Sequence, residues 1–217
     1  MALYETLRRK APLLPTRDRV AVLTAAGRTL RGALLLDLGV GDALARAMSS
    51  RTGRDCEVDA VGTRTHVFAS ADYDVSRTDV SRYDAIAITI ATTASGSAPV
   101  GWQHALRALL ATVLPNIPAG TPIVVGVPVV RPDPGLHPVR AHLVDRRRYS
   151  FTNDVATILN TFGRGELVAL PLTLDRAAGA SDTPDLEPMA GALADRLAPR
   201  LLQAGHDAAA RRWKLSA

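Results

Sequence analysis

The sequence predicts an α/β fold, a three-layer doubly wound parallel sheet with helices on both faces. Predicted strands and helices alternate along most of the chain, which is typical of βαβ units. The runs I-A-I-T-I and I-V-V-G-V are almost continuously apolar and rich in β-branched residues, as expected for strands that are covered on both faces. The aromatic content is only 4%, and abundant Ala, Val and Leu favour aliphatic helices packed on a sheet.

The period of the apolar residues gives the elements in chain order. A strand at 20–24 and a helix at 42–51 come first, followed by strands at 56–61 and 84–91. The chain continues with a helix at 102–114, a strand at 121–128, a helix at 142–162, a strand at 166–170 and a helix at 189–212. Loops rich in small residues and proline lie at 93–100, 131–138 and 177–188. Because ligands of open parallel sheets bind beyond the carboxyl ends of the strands, these loops are expected to rim any pocket.

Length and composition indicate one domain. A chain of 217 residues with 47% hydrophobic content can form a full core, and we interpret 1–217 as a single domain with 1–18 as an N-terminal extension. No run approaches the roughly 18 consecutive apolar residues of a membrane span, and the first residues lack a signal-peptide pattern, so we expect a cytoplasmic protein. Cys56 is the single cysteine, which excludes an internal disulfide and a zinc cluster of several thiolates. We expect it to fill apolar space in a strand.

The net charge of +5 comes almost wholly from arginine. The chain has two clusters of basic residues. One comprises Arg146, Arg147 and Arg148, and the other comprises Arg211, Arg212 and Lys214 beside Trp213. Both fall in predicted helices, and neither has an aromatic platform or a recognisable nucleic-acid module beside it. We therefore interpret them as solvated helix faces rather than as a nucleic-acid site. The expected partner is an unidentified small molecule or a protein.

The stretch L-L-L-D-L-G-V-G-D-A-L-A-R-A-M, at 34–48, presents an apolar run, a glycine turn and the start of a helix. Such a turn lets the backbone approach a nucleotide. Asp59 follows 22 positions after Asp37, about where nucleotide-binding folds place a ribose-binding carboxylate. This pattern resembles the cofactor motif of S-adenosylmethionine-dependent methyltransferases. Against it, the segment between Gly62 and Tyr83 is too short for the further helix and strand that such enzymes carry.

Between residues 42 and 138 the sequence resembles the SGNH, or GDSL-type, hydrolase superfamily. The resemblance rests on D-A-L-A-R-A-M-S-S-R-T-G-R-D-C-E-V-D-A-V-G, Y-D-A-I-A-I-T-I, G-W-Q-H-A-L-R-A-L-L and P-A-G-T-P-I-V-V-G-V-P. It implies a flavodoxin-like strand order and an acyl-hydrolase site at the carboxyl edge of the sheet. In that family a Gly-Asp-Ser block supplies the nucleophile, a Gly and an Asn help to form the oxyanion hole, and an Asp-x-x-His block supplies the base.

The first and last of these blocks lack their reactive side chains in this chain. T-A-A stands at 24–26 in place of Gly-Asp-Ser, and an alternative alignment of L-L-L-D-L-G-V-G retains Asp37 but offers no serine. In the last block, D-T-P-D-L-E-P puts Pro184 and Glu187 at the Asp and His positions. The nucleophile and the base are therefore both missing.

The two middle blocks retain part of their chemistry. Gly62 directly follows the second predicted strand in A-V-G-T-R-T, and its amide could face a pocket. Thr93 takes the asparagine position, where its hydroxyl can donate one hydrogen bond but is shorter than the amide side chain. A vestigial ligand-binding pocket is therefore predicted from Thr24, Ala26, Gly62, Thr63, Thr93, Ser95 and Glu187.

Other residues that suggest catalysis have ordinary explanations. His137, four residues after Asp133, comes a full helix and strand before the family's base block. Ser95 and Ser97 follow the correct strand, but small polar residues also suit any loop before a helix. F-T-N-D at 151–154 falls within a predicted helix. The remaining histidines show no helical metal-site spacing, so we predict no metal.

The favoured interpretation is an SGNH-hydrolase-like domain that is catalytically inactive, takes no cofactor, and binds a ligand or a protein at its former active-site edge. Two enzyme alternatives stay open. One is an esterase or acyltransferase with a relocated nucleophile, which needs a serine within hydrogen-bond reach of a histidine. The other is a methyltransferase, which S-adenosylmethionine would stabilise against unfolding.

Overall fold

The computed structural model describes residues 17–25, 34–61, 78–90, 101–130, 138–172 and 186–215. Within these ranges the chain forms five strands, which are β1 Arg17–Ala25, β2 Asp55–Val61, β3 Ala85–Ile90, β4 Ile123–Val130 and β5 Glu166–Leu172. The helices are α1 Leu34–Thr52, α2 Trp102–Val113, α3 Pro138–Phe162 and α4 Glu187–Leu215, with short 3-10 turns at Val80–Arg82 and Leu114–Asn116.

The five strands form one parallel sheet in the order β2-β1-β3-β4-β5. This is the flavodoxin-like order, and it confirms the predicted doubly wound sheet. The chain leaves β1 toward one side of the sheet to form β2, and then builds β3, β4 and β5 on the other side. Every residue of β3 is buried, which explains why this central strand reads as a continuous apolar run.

Two helical layers enclose the sheet. α2 and α3 cover one face, where their core residues are Leu106, Leu109, Leu110, Val113, Val155, Ile158 and Leu159. α1 and α4 cover the opposite face, where the corresponding residues are Val40, Leu44, Met48, Met189, Leu193, Leu197 and Leu201. Successive strand residues point to opposite faces, so that Ile86 and Ile88 pack toward α2 whereas Ala85 and Ala87 pack toward α1 and α4.

The first helix is longer than the sequence predicts. α1 begins at Leu34, so residues 34–41 already belong to the helix. The glycine turn predicted before Asp42 is therefore wrong. The buried residues Val40, Leu44 and Met48 continue one apolar stripe at helical spacing on both sides of Asp42. A Cβ on Gly41 would lie 3.9 Å from its nearest neighbour, Val58 Cγ1, which is an ordinary contact distance. Neither close packing nor a turn therefore requires a glycine at this position.

Other boundaries differ from the prediction by a few residues. β4 begins at Ile123 rather than 121, and β1 begins at Arg17, within the segment assigned to the N-terminal extension. α3 begins at Pro138 rather than 142, and α4 begins at Glu187 with Pro188 as its second residue rather than at 189. Proline is well tolerated in the first helical turn because the N–H groups there have no partner within the helix.

Cys56 lies in β2, half-buried against the core layer of α1 and α4. Burial raises the pKa of its thiol to about 12. The thiol is therefore protonated and unreactive at neutral pH, which agrees with the predicted role of apolar filling. No helix in the described ranges is both long enough and apolar enough to cross a membrane.

Candidate ligand-binding site at the carboxyl edge of the sheet

The point where the winding direction of the sheet changes lies between β1 and β3. The two strands pair in parallel up to their last residues, where Ala25 faces Ile90. One step earlier Thr24 faces Thr89, whose buried hydroxyl donates to the Leu23 carbonyl oxygen at 3.4 Å. The helices that follow these two strands, α1 and α2, lie on opposite faces of the sheet, and in such sheets ligands bind in a crevice at this point. This crevice is the candidate ligand-binding site.

Thr89 of β3 pairs with Gly126 of β4, next to the candidate site. From this level β4 and β5 continue side by side, to Val130 and Leu172. These two strands therefore flank the candidate site on one side.

The first turn of α2, the helix that follows β3, lies at the same edge of the sheet. Gly101 precedes the helix with a left-handed backbone (φ +85°), and among the described residues no side chain caps the helix. Uncapped N–H groups at a helix start are available to an anionic or carbonyl group. The turn is held against α3 by the edge-to-face contact of the Trp102 and Phe151 rings, 4.5 Å between centroids, and by a 2.9 Å hydrogen bond from Gln103 Nε2 to Asp154 Oδ2.

Glu187, one of the predicted pocket residues, is the first residue of α4. Its Oε1 accepts a hydrogen bond from Arg46 Nη2 of α1 at 2.5 Å, and this bond raises the pKa of Arg46. Both side chains are largely exposed, 61% for Glu187 and 66% for Arg46. In the structure this carboxylate therefore joins the N-terminal end of α4 to the middle of α1.

Of the predicted pocket residues, Thr24 and Glu187 fall in the described ranges. Thr24 is the penultimate residue of β1, at the candidate site. Outside the described residues lie Ala26, Gly62, Thr63, Thr93 and Ser95, which follow the ends of β1, β2 and β3 in the sequence by one to five positions. The catalytic alternatives at Ser97, Asp133 and His137 also lie outside the described residues.

The glycine turn of the nucleotide interpretation is wrong, because that stretch lies inside α1. Asp59 is engaged in a side-chain cluster. Its Oδ2 accepts hydrogen bonds from the Tyr83 hydroxyl at 2.9 Å and from Arg82 Nη2 at 3.0 Å. The Arg82 guanidinium also lies 4.9 Å from the centre of the Tyr83 ring. Asp59 thus ties β2 to the chain entering β3, a structural role.

Two further side chains at the site were not predicted from the sequence. Arg46 holds the Glu187 carboxylate, and Asp154 holds Gln103, although F-T-N-D is helical as predicted. Arg46 and Glu187 are 141 positions apart, and Gln103 and Asp154 are 51 apart. No local pattern in the sequence indicates contacts over such distances.

Comparisons with known proteins give structural matches only. No protein-family model matches the chain, and no curated protein matches it by sequence. An oxidoreductase from Corynebacterium diphtheriae is 13% identical with a TM-score of 0.45, over 87% of this chain and 98% of the other. A family two carbohydrate esterase from Cellvibrio japonicus is 15% identical, with a TM-score of 0.44 over 90% of this chain and 63% of the other.

A second family two carbohydrate esterase, from Clostridium thermocellum and in complex with cellohexaose, is 14% identical with a TM-score of 0.47. The match covers 86% of this chain and 64% of the esterase. This chain therefore spans less than two thirds of the length of both esterases. These similarities are too weak to indicate a function. What the structure itself defines is an α/β protein with a five-stranded, doubly wound parallel sheet.

Proposed function

We propose that this chain is an SGNH-hydrolase-like domain that has lost ester hydrolysis and binds a small molecule or a protein at the carboxyl edge of its sheet. The observation that carries the proposal is the parallel pairing of the carboxyl end of β1 with that of β3, which the structure describes up to Ala25 and Ile90. A hydrolase of this type needs its nucleophile directly after that strand, and the residues there are Ala26, Gly27 and Arg28. None of these three side chains carries a hydroxyl.

The position of the base supports the same conclusion. A serine hydroxyl is activated by a neutral imidazole that accepts its proton. Glu187 stands at this position, and its carboxylate is bound by the Arg46 guanidinium. No imidazole is therefore present at this position to accept a proton from a serine. Loss of both nucleophile and base removes most of the rate enhancement of such sites.

The arrangement of the strand ends supports a binding role. The paired carboxyl ends of β1 and β3 and the first turn of α2 are features that can receive a ligand without any reaction. The Trp102–Phe151 contact and the Gln103–Asp154 hydrogen bond hold this turn rigidly. A preorganised rim lowers the entropic cost of binding.

Amide chemical-shift mapping tests the binding role. A library of small ester, amide and carboxylate fragments is titrated into the ¹⁵N-labelled protein. We expect the perturbed amides of the described residues to cluster at the ends of β1 and β3 and in the first turn of α2. The lower ends of the same strands, around Arg17 and Ala85, serve as internal controls. Perturbations that avoid the carboxyl edge would exclude it as the binding site.

A further inference from the structure

A groove of about 360 Å³ opens at the opposite, amino-terminal edge of the sheet. It lies where β4 and β5 begin, between the loop that contains Gly120, the turn at Arg164 and the second half of α4. Its volume lies in the range of small-molecule sites. Because the groove is separate from the carboxyl edge, a ligand site here does not depend on the proposed function.

Arg164 is held in this groove by main-chain oxygens. Its Nη2 donates to the carbonyl oxygens of Pro118 and Thr121, each at 3.0 Å. The glycines on either side, Gly163 and Gly165, have φ values of +65° and +102°, so the chain turns sharply at the arginine. Carbonyl oxygens orient a guanidinium but carry no net charge. Within the described residues, no carboxylate pairs with Arg164, so its positive charge is not neutralised there.

Arg200 adds a second guanidinium to the groove. Its Nε and Nη2 donate to Glu166 Oε2 at 3.0 and 2.7 Å, while Arg196 Nη1 donates to Oε1 of the same carboxylate at 3.0 Å. One carboxylate thus serves two guanidiniums, and one positive charge is in excess. Asp207 also lines the groove. Among the residues that the structure describes, three guanidiniums therefore stand at or beside the groove with two carboxylates.

The chemistry of these groups defines the ligand. Guanidinium N–H groups form a planar fork that matches the oxygens of a phosphate or a carboxylate. Gln203 adds an amide to the lining, and Gly120 leaves open space where a Cβ would stand. From this geometry we propose that the groove binds the phosphate or carboxylate group of a small molecule, with Arg164 and Arg200 as its binding residues.

The chain supplies a matched pair of variants for the test. Arg196 and Arg200 lie one turn apart on α4, share Glu166, and are similarly exposed, 55% and 59%. Arg200 lines the groove, whereas Arg196 is not among the lining residues. Arg196→Gln and Arg200→Gln therefore remove the same charge and the same partner but alter the groove differently. Arg164→Gln is a second groove variant.

Binding is measured by isothermal titration calorimetry with inorganic phosphate and, separately, with succinate. A titration with sodium chloride at equal ionic strength is the control for general charge screening. We expect saturable binding of at least one anion, and a Kd roughly tenfold weaker in Arg200→Gln and Arg164→Gln, as for a lost charge-assisted contact. Arg196→Gln should bind almost as the unchanged protein does.

The two anions identify the ligand's group. Binding of phosphate alone assigns a phosphate ligand, binding of succinate alone assigns a carboxylate, and binding of both supports a general oxyanion site. No saturable binding of either anion at millimolar concentration would overturn the proposal. An equal loss in Arg196→Gln and Arg200→Gln would also overturn it, because the effect would then follow net charge and not the groove.

Discussion

Asp18 is the most strongly buried carboxylate described in the chain, with 1% of its surface exposed. It lies near the start of β1, where Oδ1 accepts a 3.0 Å hydrogen bond from Arg54 Nη1. Oδ2 has no hydrogen-bond partner among the described residues. Burial raises the pKa of this carboxyl, the nearby Asp84 adds to the effect, and the Arg54 guanidinium opposes it.

A raised pKa makes the folded state favour the protonated form of Asp18. Its contribution to stability is therefore fully present below the unfolded pKa of about 3.9 and is lost as pH rises through the folded value. We expect the free energy of unfolding of the unchanged protein, minus that of Asp18→Asn, to fall as pH rises from about 3 to 7. Urea unfolding of both proteins across this range measures the difference. The other titrating groups are common to both proteins, so their contributions cancel. A difference that rises with pH would contradict the assignment.

At the scale of elements, the packing of β4 on β5 depends on the absence of a side chain at Gly126. A Cβ there would lie 2.8 Å from Leu170 Cγ, closer than side-chain atoms approach in real proteins. Leu170 is fully buried in the core layer of α1 and α4, so it has little room to move aside. The glycine in I-V-V-G-V is thus required for the packing of β4 against Leu170 of β5.

Gly126→Ala is expected to lower the free energy of unfolding by about 1 to 3 kcal/mol, the usual cost of overpacking a core. Gly120→Ala is the matched control, because nothing lies within 4 Å of a Cβ at that position. Chemical denaturation of both variants makes the comparison. Equal stability of the two variants would show that β5 adjusts freely to the added methyl group.

The helices and strands were predictable where their apolar residues recur with a regular spacing in a short stretch of sequence. β3, predicted at 84–91, spans Ala85–Ile90, because a strand covered on both faces carries its signal in every residue. α1 was mispredicted before Asp42 because Leu34, Leu35 and Leu36 form an apolar run that suits a buried strand as well as a helix. The tertiary contacts of Val40 and Leu44 resolve this ambiguity, and no local window contains them.

The candidate site was predictable in its place but not in its contacts. The strand order confirms that the carboxyl ends of β1 and β3 meet, as the alternation of strands and helices predicts. The partners of Glu187 and Asp59 depend on long-range geometry, so the sequence alone did not indicate their contacts with Arg46 and Tyr83. Residue identities after a strand can be compared with a family's motif, whereas hydrogen-bond partners require the fold.

At the scale of the whole molecule, the sheet presents two edges with different chemistry. The carboxyl edge offers the paired ends of β1 and β3 and the start of α2, and we propose it as a binding site that no longer hydrolyses esters. The amino-terminal edge offers a groove with Arg164 and Arg200, and we propose it as an oxyanion site. The core layers of the sheet separate these two edges, so each proposal can fail without the other.

The most direct test of the central claim is intact-mass spectrometry after incubation with a fluorophosphonate, which reacts covalently with an activated serine. We expect no adduct on this protein under conditions in which an active esterase, treated in parallel, is labelled completely. A single stoichiometric adduct that maps to Ser95, Ser97 or another serine at the carboxyl edge would contradict the account, because it would show that the nucleophile has moved and that the domain is a working hydrolase.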